Sequence, residues 1–316
     1  MKYVILDVDT GIDDALAIAY ALHSPELRVL GITTCFGNTS VEEATRNTLQ
    51  VLELFAAEDI PVSKGAGKPL WRDHLKQKAT AIHGEDGLAN SRLPQPKRAP
   101  IELDAASFIV SQVRKYPHQV TLITVGSQTN LAQAILKDPE IVGLVENVSI
   151  MGGAVTVPGN ATPAAEANIY TDPEAAEFVF RSGMPITLVG LDVTMQTLLT
   201  REHLQAWRAI ATPQSLFLAD ICKFYMDAYH SLNPFLGGCA LHDPLAVAVV
   251  IDPTFVQAAP MHVQVDLEGS LSIGRTVGDR RLKPAQPPNM KVCLEVDTER
   301  FVSHFLERVI PKKQIP

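Results

Sequence analysis

The chain has 316 residues, 46% of them hydrophobic and 20% charged, with a formal net charge of −8. That composition fills a globular core, and the acidic balance excludes broad binding to nucleic acid or to an anionic membrane.

An apolar run after Met1 and Lys2 reads as a buried strand, and Ala15, Leu16, Ala17, Ile18, Ala19 and Ala21 read as a helix. Between them stand four carboxylates: Asp7, Asp9, Asp13 and Asp14. Carboxylates this close repel one another, and a divalent cation among them relieves the repulsion. All-oxygen ligands point to Ca²⁺ or Mg²⁺ rather than zinc. A helix cap at Asp9, with Asp13 and Asp14 complementing the helix dipole, accounts for one or two of the four but not for all.

Further on, strands are expected over 27–34, 60–63, 120–125, 147–151 and 186–191. Helices are expected over 41–57 (capped by Ser40, with Glu43 completing a capping box), 104–116, 129–136 and 173–181. Residues 64–100, richer in Gly, Pro, His and charge, form a long surface excursion with a short helix. Residues 200–229 are mostly helical, with a break near Pro213, and 244–250 form another helix. Antiparallel strands over 262–265 and 290–295 and a helix over 298–309 finish the chain. Alternating strands and helices make an α/β fold, an open, mainly parallel sheet with helices on both faces, over 1–316 as a single domain.

In such a sheet, ligands bind beyond the carboxyl ends of the strands. That rule brings Asp7, Asp9, Asn38, Val125, Gly126, Met151, Gly152 and Gly153 to one rim. The segment from Gly159 to Asn168 adds Asn160, Glu166 and Asn168, a set suited to a ligand with several hydroxyls; its side chains would equally satisfy their own loop. Asp243 is either a helix cap ahead of Pro244 or a further metal carboxylate beside His242. His83 is a lone loop histidine, commonly just solvated. Tyr225, Tyr229 and His230, about a helical turn apart, are core or a pocket wall. The four cysteines, Cys35, Cys222, Cys239 and Cys293, form no C-x-x-C pair, and three sit in apolar surroundings as packed thiols. Asp7 and Asp9 interrupt the first apolar run too soon for a signal peptide, and no run is long enough to span a bilayer, so a cytoplasmic enzyme is expected.

In order along the chain, these strings resemble the inosine–uridine type nucleoside hydrolases. The resemblance runs through Asp7 to Asp14, Gly37-Asn38, His83-Gly84-Glu85, Thr129-Asn130 and Met151-Gly152-Gly153. It continues with Gly159 to Asn168, Asp172 to Ala176, Gly190 to Thr194 and His242-Asp243-Pro244. It implies the Rossmann-like fold of that family. It implies a Ca²⁺-dependent enzyme of nucleoside salvage that cleaves ribonucleosides to ribose and free base, with a small-molecule substrate and assembly into dimers or tetramers. By the same resemblance Asp9 is metal ligand and general base, Asp14 the chelating carboxylate, the Val125 carbonyl a main-chain ligand, and Asp243 the last carboxylate. Asp13, Asn38, Met151 (through its backbone), Asn160, Glu166 and Asn168 hold ribose. His242 protonates the leaving base, and His83 lies near that base. The chain departs at Thr10 and Ser127-Gln128, where the family usually has Pro and Pro-Leu, and at Ala167, where it has Phe. Two other readings share some of these residues. Haloacid-dehalogenase-like phosphatases also have a strand ending in Asp-x-Asp, but Gly11 stands where they want Thr or Val. A non-catalytic nucleoside or sugar-binding protein of the same fold would not need Asp9, Asp14 and Asp243 intact.

Overall fold

The structure, a computed structural model, describes residues 1–75 and 78–310. Strand β1 (Lys2–Val8) is followed by α1 (Ile12–Leu22), β2 (Leu27–Thr34), α2 (Val41–Leu54) and the short edge strand β3 (Val62–Lys64). The excursion carries α3 (Thr80–His83). Then come α4 (Ala105–Lys115), β4 (Val120–Thr124), α5 (Thr129–Lys137), β5 (Asn147–Met151), α6 (Ala167–Thr171), α7 (Pro173–Phe180) and β6 (Ile186–Val189). The last third holds α8 (Leu191–Thr194), β7 (Leu198–Leu199), α9 (Arg201–Ile210), α10 (Pro213–Leu232), β8 (Cys239–Ala240) and α11 (His242–Ile251). The chain closes with β9 (Val256–Met261), β10 (Val263–Val265), β11 (Thr276–Gly278), β12 (Met290–Val296) and α12 (Thr298–Arg308).

Eight strands form the central sheet in the order β3-β2-β1-β4-β5-β6-β12-β9. Every neighbouring pair is parallel except β12 with β9. Strands β1 and β4 are apolar and buried almost from end to end, as strands covered on both faces are. One apolar cluster packs α1, α10, α11 and α12 on one face; the other packs α4, α5 and α7 on the opposite face. This is the expected open, mainly parallel sheet with helices on both sides.

Two helices set up everything that follows. The first, α1, is buried from Ile12 to Ala21, and α11 is buried along its whole length. A helix apolar all round has to lie inside the protein. Helix α11 packs on α1 and over β5, where the Ser149 hydroxyl donates to the Ala246 carbonyl at 2.9 Å.

The carboxyl-terminal strands pair differently from expectation. Strand β10 does not pair with β12. It pairs with β11 in a separate two-stranded ribbon, and β12 enters the main sheet parallel to β6. The antiparallel partner of β12 is β9. That strand is half-exposed and contains Pro260, so its sequence carries little strand signal, as befits an edge.

Candidate active site

The chain runs outward from β1 to β2 and β3, then returns to β4 on the other side of β1. The crevice of such a sheet opens at this reversal, beyond the strand carboxyl ends. A cavity of about 450 Å³ lies there. Its lining includes Asp13, Asn38, His83, Val125, Met151, Asn160, Glu166, Asn168, His242 and Asp243. The other two expected site residues, Asp9 and Asp14, do not line it and are fully buried. They connect to its wall through the Asn38 amide, which reaches Asp9 Oδ1 and Asp14 Oδ2, each at 3.3 Å.

The turn between β1 and α1 organises the acidic floor. Asp14 accepts the Asp9 main-chain N–H at 3.1 Å on one oxygen and that of Gly11 at 2.8 Å on the other, closing the first turn of its own helix. Asp9 accepts the Asn38 main-chain N–H at 2.6 Å. Gly37 makes that approach possible, since a Cβ there would lie 2.0 Å from Asp9 Oδ2. Asp13, Asp14 and Asp243 each bring a carboxylate oxygen into a group spanning no more than 4.8 Å. Asp13 Oδ1 and Asp243 Oδ2 are buried with no hydrogen-bond partner; the other oxygen of Asp13 accepts from the Tyr225 hydroxyl at 3.2 Å. Burial, followed by the neighbouring Asp14 charge, lifts the Asp13 carboxyl to about 7. Burial and then the Asp9 charge hold Asp14 well above the usual carboxylate range; burial and then the charges of Asp13, Asp14 and Asp9 do the same to Asp243. Mutually repelling carboxylates with unpartnered oxygens are what a hard divalent cation satisfies, so the donor set fits one. Asp14 and Asp243 belong to both the expected ligand set and this cluster; Asp13 is its third member, while Asp9 stands beside it.

Asp7 faces elsewhere. It accepts from Thr33 Oγ1 at 2.5 Å and Asn130 Nδ2 at 2.7 Å, and burial raises its carboxyl to about 7. It supports the floor from below rather than joining it.

Asn168 donates to the Val125 and Met151 carbonyls at 2.7 and 3.1 Å, tying the ends of β4 and β5 together. Glu166 caps α6, accepting from Asn168 and Ile169, and also takes the Gly153 N–H at 2.9 Å. Asn160 accepts from the Ala167 N–H at 2.9 Å.

His242 Nε2 lies 2.6 Å from the Tyr229 hydroxyl and Nδ1 lies 2.7 Å from the Thr194 hydroxyl. Burial alone lowers its pKa to about 4, so the ring is neutral at pH 7. His242 and Tyr229 both line the cavity, and the contact between His242 Nε2 and the Tyr229 hydroxyl lets a proton pass between them.

His83 is not a solvated loop histidine. It is buried, its Nδ1 accepts the Ile12 N–H at 3.1 Å, and its ring faces Tyr225 at 5.5 Å. Asp13 Oδ1 is 4.0 Å from the same nitrogen, too far for a hydrogen bond. The open N–H at the start of α1 captures the imidazole. Gly11 leaves the room, since a Cβ there would lie 2.6 Å from His83 Nδ1.

The departures are accommodated. The Thr10 hydroxyl pairs with that of Thr48 at 2.7 Å, Ser127 pairs with Thr129 at 3.0 Å, and Gln128 bonds Thr124 and the Gly126 carbonyl. Thr276 also reaches the rim, its Oγ1 accepting the Ala154 N–H at 2.8 Å. The apolar mouth, formed by Ala79, Ile82, Met195, Leu232 and Leu236, was missed by sequence reasoning. The helix expected over 200–229 stops short of Leu232 and Leu236. All four cysteines are buried and free. Among the described residues, no helix is long and apolar enough to cross a membrane.

Comparison with known proteins bears on this site directly. Residues 4–303 match the family model described as inosine-uridine preferring nucleoside hydrolase. The pyrimidine-specific ribonucleoside hydrolase RihA of Escherichia fergusonii is 40% identical over 306 residues, covering 97% of each chain. The solved purine-preferring ribonucleoside hydrolase from Gardnerella vaginalis superposes with a TM-score of 0.93 at 43% identity, covering 98% of each chain. A plant nucleoside hydrolase, PpNRh1, gives a TM-score of 0.93 at 37% identity, over 98% of this chain and 99% of its own.

Proposed function

The chain belongs to the inosine–uridine preferring nucleoside hydrolases, hydrolases of the ribonucleoside N-glycosidic bond, and from that premise we propose a calcium-dependent reaction yielding ribose and free base. The observation that carries this reading is the buried cluster of Asp13, Asp14 and Asp243 on the cavity floor, with two carboxylate oxygens unpartnered. Asp14, Asp243, Asp9 and the Val125 carbonyl would hold the ion, and the unpartnered Asp13 oxygen would take a ribose hydroxyl. A divalent cation bound there would hold the attacking water and make it more acidic, though calcium does so less strongly than zinc, which leaves the proton transfer to a protein base.

Asp9 acts as general base, accepting the proton of the attacking water, and the Asn38 N–H fixes its carboxylate for that role. Asp13, Asn38, Asn160, Glu166 and Asn168, with the Met151 carbonyl, hold the ribose so that its anomeric carbon faces the water. The carboxylates among them, Asp13 and Glu166, favour the oxocarbenium-like state through which the glycosidic carbon passes. The leaving base takes its proton along the Tyr229–His242 pair, to which His83 is joined through the Tyr225 ring.

The relatives are named for opposite base preferences, pyrimidine-specific and purine-preferring. Neither preference carries over on similarity, and the apolar walls around the base side discriminate weakly by themselves. The oligomer we propose, a dimer or tetramer, rests on the family resemblance alone.

The test is to incubate the protein with inosine, uridine, cytidine and their 2′-deoxy counterparts, with calcium or with EDTA, and to assay reducing sugar. Release of ribose with calcium and little without it is expected, with deoxyribonucleosides slower by roughly 5–150-fold for one unpaired buried partner at about 1–3 kcal/mol. Nucleoside binding without sugar release would refute catalysis; unchanged rates in EDTA would refute the calcium role.

A further inference from the structure

The amino end of the sheet, opposite the acidic floor, carries a trench of its own. Two hollows of about 410 and 400 Å³ share Lys2, Gln119 and Glu146, so they run into one another across the strand entries. The first lies on the sheet face that α11 covers. On β4, Thr121 shares that face with Ile123 and Val125, which pack in the same cluster as α11. Asn147 stands opposite Thr121, and Lys291 stands opposite Thr187. The Thr187 hydroxyl donates to Asn147 Oδ1 at 3.5 Å. A sheet face that is fully covered is apolar, so this polar row marks where the cover ends, as α11 stops at Ile251. The wall facing the row is apolar, formed by Val249 and Val250 of α11 and Val256 and Ala258 of β9. In the second hollow Arg28 lies over the Tyr3 ring, 5.7 Å from its centre, with His118 nearby. Among the described lining residues, Lys2, Arg28, Lys291 and the His118 imidazole face one carboxylate, Glu146. That local sign opposes the net charge of −8 on the chain. Clustered cations draw an anion, while an apolar wall beside hydroxyl and amide groups suits a base carried on a ribose.

We propose that this trench is an effector site for a nucleoside 5′-polyphosphate, with base and ribose in the first hollow and the phosphates at Lys2, Arg28 and His118. Glu146, at the junction, accepts a ribose hydroxyl, as a carboxylate does in dinucleotide sites. Lys2 links the trench to the active site. Its ammonium donates to the Val250 carbonyl at 2.5 Å, in the last turn of α11, where a cation complements the helix dipole. Phosphates at the junction compete for that ammonium and loosen the end of the helix. His242 and Asp243 stand at the other end of the same ten-residue helix, about 15 Å away. A helix buried along its whole length carries a shift of one end to the other. Nucleotide in the trench therefore lowers turnover without occupying the acidic floor.

The experiment uses the full chain with free calcium held constant, because polyphosphates chelate it. Adenosine 5′-triphosphate, uridine 5′-triphosphate and tripolyphosphate are titrated calorimetrically, and initial rates are followed on a cleaved nucleoside. We expect one nucleotide bound per chain, and tripolyphosphate weaker by about fivefold or more because the apolar wall stays empty. Arg28→Glu and Lys291→Glu, both at exposed positions, should each weaken nucleotide binding roughly fivefold or more and leave rates without nucleotide unchanged. Saturating nucleotide should lower kcat by about fivefold with little change in KM. Absence of saturable binding would overturn the proposal, as would tripolyphosphate binding equally well or an affinity unmoved by both charge reversals. Purely competitive inhibition would place the nucleotide on the acidic floor and overturn it too, and so would bound nucleotide that leaves kcat unchanged. A chain that turns over no nucleoside at all would instead remove the hydrolase reading, on which the rate measurement rests, and the titrations alone would then decide the trench.

Discussion

Replacing Asp243 with asparagine separates the electrostatics of the acidic floor from its chemistry. Carboxylate oxygens within 4.8 Å of one another repel by about 3 kcal/mol per ionised pair at an effective dielectric of about 20. Asp243 faces two such partners, Asp13 and Asp14. Their raised pKa values mean that part of this repulsion is already relieved by protonation at neutral pH. Asp243→Asn should therefore stabilise the cation-free protein by about 1–3 kcal/mol, removing one of the two unpartnered oxygens and offering an amide N–H to the other, on Asp13. For a chain of this size that corresponds to a melting temperature raised by roughly 2–6 °C. Calcium reverses the order. At about a hundredfold excess over its dissociation constant it stabilises the wild type by about 2.7 kcal/mol, or roughly 5 °C, while the variant has lost a ligand and gains far less. Thermal melts of both proteins in EDTA and in calcium chloride decide it. A variant that melts below the wild type in EDTA, or that gains as much from calcium, would refute the reasoning.

Asp9→Asn should lower kcat by about 10²–10⁴-fold with an unchanged circular dichroism spectrum, because an amide cannot take up the proton of the water; near-normal turnover would remove the base assignment. His242→Ala and Tyr229→Phe should slow inosine or uridine far more than p-nitrophenyl riboside, whose leaving group departs unprotonated. Equal losses on both kinds of substrate would make the pair a positioning device. Asn130→Ala strips partners from Asp7, the Thr34 carbonyl and the Ala66 N–H, bonded now at 2.7, 3.0 and 2.8 Å. At about 1–3 kcal/mol for each buried group left alone, urea titration should show a loss of roughly 3 kcal/mol or more, and a loss under about 1 kcal/mol would show the groups re-paired.

The fold was legible wherever periodicity and punctuation agreed. Residues 147–151 were read as a strand and form β5, and Pro213 divides α9 from α10 as its missing N–H requires. Val256–Met261 was illegible because an edge strand carrying Pro260 does not alternate. Helices of four or five residues, such as α6 and α8, hold too few turns to show a period. The rim could be read from strand ends alone, since parallel strands deliver their carboxyl termini to one side. Which carboxylate faces which could not. Asp7, two residues before Asp9, faces Thr33 and Asn130, whereas Asp13 meets Asp243, and only the packing of α11 on α1 decides that. The capture of His83 by the Ile12 N–H is equally a product of tertiary contact.

The acidic floor is contributed by distant parts of the chain. Asp13 and Asp14 open α1, and Asp243 arrives some 230 positions later with α11. An unfolded or half-made chain keeps Asp243 apart from the other two and does not feel that repulsion. The repulsion with Asp243 arises only when α11 packs against α1 and β5, a contact between sequence-distant segments that already costs loop-closure entropy. Docking of α11 thus carries an electrostatic cost as well. A cation waiting in solution would lower that cost, acting on the chain as an assembly factor before any nucleoside reaches it.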